Sequence, residues 1–288
     1  MGVLLGLLTA LMWGGSDFLA RFATHRIGTL RAMLYMQLVG FFLLSAALPW
    51  LGGLGHLGEG RWEPWGWGVL AGCVNAVATL SLYRSFEVGK MAVVAPLSAS
   101  YPALTVILSL LSGERLSAVR AAGIILTMLG VVLVAGGEKP PDSNDHEVVR
   151  RGGKGVIWAL CSSVGFGVLF WLLGIRIIPR VGAAQTVWMI RMTCSLIAAA
   201  IILFAKLPIG LPQGSRWNAL GMGAGDTSAF VISNRGMQIE QVAVISVLGS
   251  LYGAATVGLA AIVLREHVSR WQWAGIAAIF VGIFFISR

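Results

Sequence analysis

"AVVAPLSASYP" (92–102) returns 151 residues later as "AVISVLGSLYG" (243–253), which lays Ala92 on Ala243, Leu97 on Leu248 and Tyr101 on Tyr252. After a one-residue slip, "ERLSAVRAAGIILTMLG" (114–130) lies on "EHVSRWQWAGIAAIFVG" (266–282). Glu114 then pairs with Glu266, Ser117 with Ser269, Gly123 with Gly275 and Gly130 with Gly282. The chain is therefore read as two copies of one unit.

Composition sets the solvent around these copies. Of the 288 residues, 57% are hydrophobic and only 11% are charged, with a mean hydropathy of +0.82. Soluble domains carry roughly 25% charged residues, so this is the composition of an integral membrane protein. Apolar runs long enough to cross the bilayer are expected over 2–20, 32–50, 65–83, 91–112, 121–137, 155–175, 186–205, 217–234, 242–264 and 271–287. Unbroken runs of this length are helical, because barrel strands would alternate every second residue.

The expected fold is all-α, with ten transmembrane helices in two five-helix repeats: 1–137, a polar linker over 138–154 ("EKPPDSNDHEVVRRGGK" and its flank), and 155–288. An odd number of spans per copy turns the second copy upside down, an inverted repeat of the kind found in secondary transporters.

Function classes fall away in turn. Cys73, Cys161 and Cys194 lie in apolar spans without paired spacing, and His25, His56, His146 and His267 lie in connections, so neither a disulfide framework nor a metal site is expected. An intramembrane enzyme would need a catalytic cluster at one depth, and only Asp17 and Asp226 are carboxylates inside spans. No nucleotide-binding motif is present, and no cofactor is implied. The net charge of +9 reads as membrane topology rather than nucleic-acid binding. Thirteen Lys and Arg fall in the connections on one side and seven on the other, which puts both termini outside the cytoplasm. The first span lacks a basic leader and is read as a retained helix.

The polar residues inside the spans are the site candidates. Asp226, in "GAGDTSAFVISNRG" (223–236), is the deepest, and its repeat mate is Asn75. A buried carboxylate costs at least about 2.5–3.5 kcal/mol on insertion scales, so it must face a cavity or a partner. Arg191, whose mate is Gln37, is either that partner, a snorkelling cation or a receptor for a substrate carboxylate. Asp17, four residues before Arg21 near the expected end of the first span, reads as half of an interfacial ion pair. Glu114 and Glu266 read as helix caps or ion pairs. Trp13, Tyr101 and Tyr252, with Ser98 and Ser246, complete the candidate substrate-binding set of Trp13, Asn75, Ser98, Tyr101, Arg191, Asp226, Ser246 and Tyr252. Pro96 and Pro102 are expected to bend the fourth span. Trp62, Trp65, Trp67, Trp217, Trp271 and Trp273 read as interfacial anchors, and the Gly pairs seven residues apart mark close helix packing.

The ten spans, the block "SYPALTVILSLLSGERLSAVRAAGIILTMLGVVLV" (100–134) and its echo through 286 resemble the EamA family of the drug/metabolite transporter superfamily. That resemblance covers essentially the whole chain. It implies a multi-pass inner-membrane exporter of small amphiphilic metabolites, with YddG-like exporters of amino acids, aromatic ones included, as the branch of similar architecture. Drugs or other metabolites are the alternative cargo, and a non-transporting scaffold or receptor is the alternative class. The implied partners are a small-molecule substrate and the lipid bilayer, with a proton as candidate coupled ion and a monomer or homodimer as the assembly. The acidic residue that multidrug members carry in their first helix has Trp13 at its depth here, and no Lys lies in any span to hold a nucleotide's phosphates.

Overall fold

The computed structural model describes residues 1–89, 91–136, 146–211, 213–255 and 270–286. Helices α1 (Gly2–Ile27), α2 (Thr29–Ala47), α3 (Trp62–Val88), α4 (Met91–Ser98), α5 (Pro102–Leu111) and α6 (Ala118–Gly136) form the first half. The second half holds α7 (His146–Leu172), α8 (Ile178–Val181), α9 (Ala183–Phe204), α10 (Arg216–Ile239), α11 (Val242–Gly249) and α12 (Arg270–Ile286).

Among the described residues, five helical stretches are long and apolar enough to cross a membrane: Gly2–Ile27, Thr29–Leu51, Trp62–Val88, Lys154–Val181 and Ala183–Phe204. The remaining expected spans differ for local reasons. The fourth breaks at 99–101, between α4 and α5, with Pro102 opening the second piece. Proline suits that place because the first helical turn needs no N–H from it. The ninth is interrupted after Gly249 in the same way. Helix α10 is continuous but carries Arg216, Asp226 and Arg235. The expected linker is shorter than its polar composition implies, since α7 already begins at His146. Glu266 and Ser269 lie outside the described residues.

The helix pairs repeat between the halves. Helix α1 packs on α10, where Ser16 Oγ donates to the Met222 carbonyl at 2.9 Å and Thr9 Oγ1 to the Ala229 carbonyl at 3.5 Å. Helix α7 packs on α3 in the same antiparallel sense, with Gly155 on Gly89 and Gly165 on Ala78. Helices α2 and α9 pack on each other, as do α6 and α12. The glycine spacing is explained at the last interface. A Cβ on Gly123 would lie 2.8 Å from the Gly282 carbonyl, and one on Gly130 would lie 2.7 Å from that of Gly275, so the two backbones touch.

Two further glycines are repeat mates with one backbone geometry. Gly28 between α1 and α2 has φ 79° and ψ 162°, and Gly182 between α8 and α9 has φ 99° and ψ 155°. Side chains rarely adopt this conformation, so each corner requires glycine. Laying α1 on α7 at an offset of 153 pairs Gly2 with Gly155, Val3 with Val156 and Gly14 with Gly167, whereas the corner glycines are 154 apart. One turn of π-helix at Leu173–Ile177 takes up the extra residue.

Glu114 caps the start of α11. Its Oε1 accepts from the Val242 N–H at 2.8 Å and its Oε2 from the Ala243 N–H at 3.4 Å, placing a carboxylate on a helix N-terminus. Trp62, Trp217, Trp271 and Trp273 stand exposed at helix starts, as belt residues do.

Candidate functional site

Four helices aim pairs of side chains, each four residues apart and therefore on one helical face, into a common cavity. They are Trp13 and Asp17 of α1, Thr79 and Tyr83 of α3, Phe166 and Phe170 of α7, and Asp226 and Phe230 of α10. Met36 of α2, Leu82 of α3, Tyr101 at the α4–α5 break and Tyr252 beyond α11 complete the lining. The empty space is about 420 Å³, its open mouth included. The cleft is narrow.

Trp13 is the hub of the aromatic wall. Its ring meets Phe170 at 5.5 Å, Phe230 at 5.4 Å and Tyr252 at 6.3 Å between centroids, each edge to face. Phe170 stacks on Tyr101 at 4.9 Å and on Phe230 at 5.7 Å. Edge-to-face and offset contacts of this kind fix ring orientation beyond simple burial. Tyr101 is anchored further, its hydroxyl donating to the Ser246 carbonyl at 3.0 Å.

Asp226 is held by Arg191 of α9, whose Nη2 donates to Oδ2 at 2.5 Å. Arg191 is fully buried, and its Nη1 also donates to Gln37 Oε1 at 2.8 Å. The repeat mates Gln37 and Arg191 therefore touch each other where α2 crosses α9. Gly40 makes room for this guanidinium: a Cβ there would collide with Thr227 Oγ1 and come within 3.0 Å of Arg191 Cδ. On its other side, Arg191 Cζ sits 5.3 Å from the centre of the Phe230 ring, which itself lines the cavity.

The eight sequence candidates divide evenly. Trp13, Tyr101, Asp226 and Tyr252 line the cavity. Asn75, Ser98, Arg191 and Ser246 do not, and each is occupied or enclosed elsewhere. Asn75 is fully buried and turns its Nδ2 to Cys194 Sγ at 3.4 Å, away from Asp226, its mate. Ser98 is sealed at the end of α4, and Ser246 offers its carbonyl to Tyr101. Arg191 acts on Asp226 and presents nothing to the cavity.

Asp17 needs the largest correction. It makes no ion pair with Arg21; it is 6% exposed and faces the cavity, with no hydrogen-bond or ion-pair partner among the described residues. The reason is helix length. Helix α1 runs on to Ile27, so Asp17 lies well inside it rather than at its end. Phe166, Phe170 and Phe230 were also missed as site residues. The signal for Phe166 and Phe170 was present in the 153-residue offset, which lays Trp13 on Phe166 and Asp17 on Phe170, and that for Phe230 in its place four residues after Asp226.

With this geometry in view, comparison with known proteins decides the family. The EamA-like transporter family matches residues 1–136 and 153–288, nearly the whole chain. The chain belongs to the EamA-like transporter family. This EamA-like protein is a multi-pass membrane transporter of the drug/metabolite transporter superfamily, and transporters of its family are generally not enzymes. A solved crystal structure 20% identical to it matches 99% of this chain and 95% of its own, with a TM-score of 0.78, which establishes a shared fold. Uncharacterized protein MJ1333.1 of Methanocaldococcus jannaschii is 27% identical over 134 residues, spanning 46% of this EamA-like chain and 95% of that protein.

Proposed function

We propose that this EamA-like transporter is a secondary transporter of the bacterial inner membrane, exporting small amphiphilic metabolites by alternating access, with amino acids, aromatic ones included, as the leading substrate class. The observation that carries the reading is the cavity itself. It has aromatic walls from both halves and two carboxylates, the combination of apolar body and few polar points that binds a small amphiphile.

Alternating access rests on the paired halves. Repeat mates α2 and α9 run antiparallel against each other, as do α6 and α12, which is the relation expected of inverted copies. The half-length relative fits a unit that exists singly elsewhere. The present cleft is narrow, so an amino acid enters only if the helices part. The corner glycines and the breaks in the fourth and ninth segments supply places where they can bend. Both termini are assigned outside the cytoplasm from the thirteen-to-seven bias of basic residues.

Purified protein in vesicles tests this. Radiolabelled phenylalanine or tyrosine should cross protein-containing vesicles and not empty ones, and imposing a pH gradient tells proton coupling from facilitated flux. Protein-dependent flux of drugs but of no amino acid would overturn the substrate class; no flux of any solute would overturn transport.

A further inference from the structure

The cavity contains two carboxylates in different situations. Asp226 is neutralised by Arg191: Nη2 is on Asp226 and Nη1 on Gln37 and Met36, while Nε has no hydrogen-bond partner, and the group is fully buried behind Phe230 and does not line the cavity. Asp17 is buried, faces the same space and has no cationic or hydrogen-bonding partner among the described residues. An unpaired carboxylate in a membrane interior is expensive when ionised, so the site holds a proton or a cation through the cycle, and an arriving ammonium takes the proton's place.

We infer that Asp17 is the receptor for the protonated amine of the substrate, and that the cavity favours amphiphilic monoamines over the amino acids that share their ring. The inference rests on the reading above that small amphiphiles are transported, and within that class it puts amines ahead of the amino acids named there. When Asp17 is ionised, three charges meet here, Asp17 and Asp226 negative and Arg191 positive, and one net negative charge is left for the ligand to balance. A monoamine balances it. A zwitterion also brings a carboxylate, and no Lys or Arg among the described residues lines the cavity to receive it. That carboxylate must be desolvated near Asp226 and Asp17, with like charges raising the cost.

The surrounding rings support the same choice. Trp13, one helical turn from Asp17, presents its ring to the same space, and Tyr252 and Phe170 stand against Trp13. Ring faces beside a carboxylate add cation–π attraction for an ammonium and offer nothing to an anion. The unpaired acid is on one side only. The repeat mate of Asp17 is Phe170, so at that position the second half supplies a ring, and the acid it does contribute, Asp226, is the one held by Arg191. A ligand with an amine at one end and an aromatic body at the other fits this in one orientation.

Tyramine, tyrosine and 4-ethylphenol separate the parts, since they share a phenol ring and differ in ammonium and carboxylate. Binding is read by equilibrium dialysis on the purified full-length protein, and flux in vesicles. Tyramine should bind at least tenfold more tightly than tyrosine to the wild type. Asp17→Asn should weaken tyramine at least tenfold and leave 4-ethylphenol within twofold, while Asp17→Glu restores part of the amine preference. Tyrosine binding as well as tyramine to the wild type overturns the inference without any variant. Tyrosine flux with tyramine binding untouched by Asp17→Asn overturns it too, yet leaves the transport proposal standing. Absence of binding and flux for all three compounds removes both.

Discussion

Replacing Arg191 with Gln should destabilise the protein more than almost any other single polar change. The structure sets the magnitude. Arg191 has 0% and Asp226 14% side-chain exposure, and they are 2.5 Å apart, so this is a buried ion pair and not a surface one. Removing one partner of such a pair costs about 3–5 kcal/mol, because the other charge stays behind uncompensated. Gln37 Oε1 loses its donor at the same time. At about 2–4 °C of melting temperature per kcal/mol for a chain of this size class, Arg191→Gln should lower the apparent melting temperature by about 6–20 °C. The double variant Arg191→Gln/Asp226→Asn removes the stranded charge and should recover more than half of that loss. Thermal unfolding of the four proteins in one detergent, followed by tryptophan fluorescence, completes the cycle. The reasoning is refuted if Arg191→Gln costs less than about 1 kcal/mol, or if the double variant is no more stable than Arg191→Gln alone.

Two glycines test the packing around this pair and around the outer helices. Gly40→Ala should cost about 1–3 kcal/mol and reduce transport, because the added methyl displaces Thr227 and the Arg191 side chain; the check is melting temperature together with vesicle flux. Gly130→Leu should cost at least that much by prising α6 from the Gly275 carbonyl of α12, while ligand affinity measured on the folded fraction stays within twofold because neither helix lines the cavity.

The helices were legible because lipid leaves no alternative to long apolar runs, and the close packing of α6 on α12 was legible because Gly123, Gly130, Gly275 and Gly282 keep a two-turn spacing. The break before Pro102 was legible for the same kind of local reason. What failed needed information about ends and about partners. Asp17 was read as interfacial because an apolar run stops near residue 20, whereas the helix continues to Ile27 through His25 and Arg26. Asn75 was placed in the cavity because its mate Asp226 is there. Repeat mates share a backbone position and not an environment, and Cys194 takes the Asn75 amide. Arg191 was visible as a candidate partner of Asp226, but only three-dimensional geometry shows that Gly40 and Gln37 hold it out of the cavity.

Access to the cavity from both faces of the membrane is the most direct test of the account. A cysteine at Thr79, which lines the cavity on α3, would be introduced after replacing Cys73, Cys161 and Cys194 by Ala or Ser. Membrane-impermeant thiol reagent would then be applied to one side or the other of oriented vesicles. The account predicts labelling from each side, with substrate slowing both reactions. Labelling from one side only, indifferent to substrate, would contradict alternating access through this cavity.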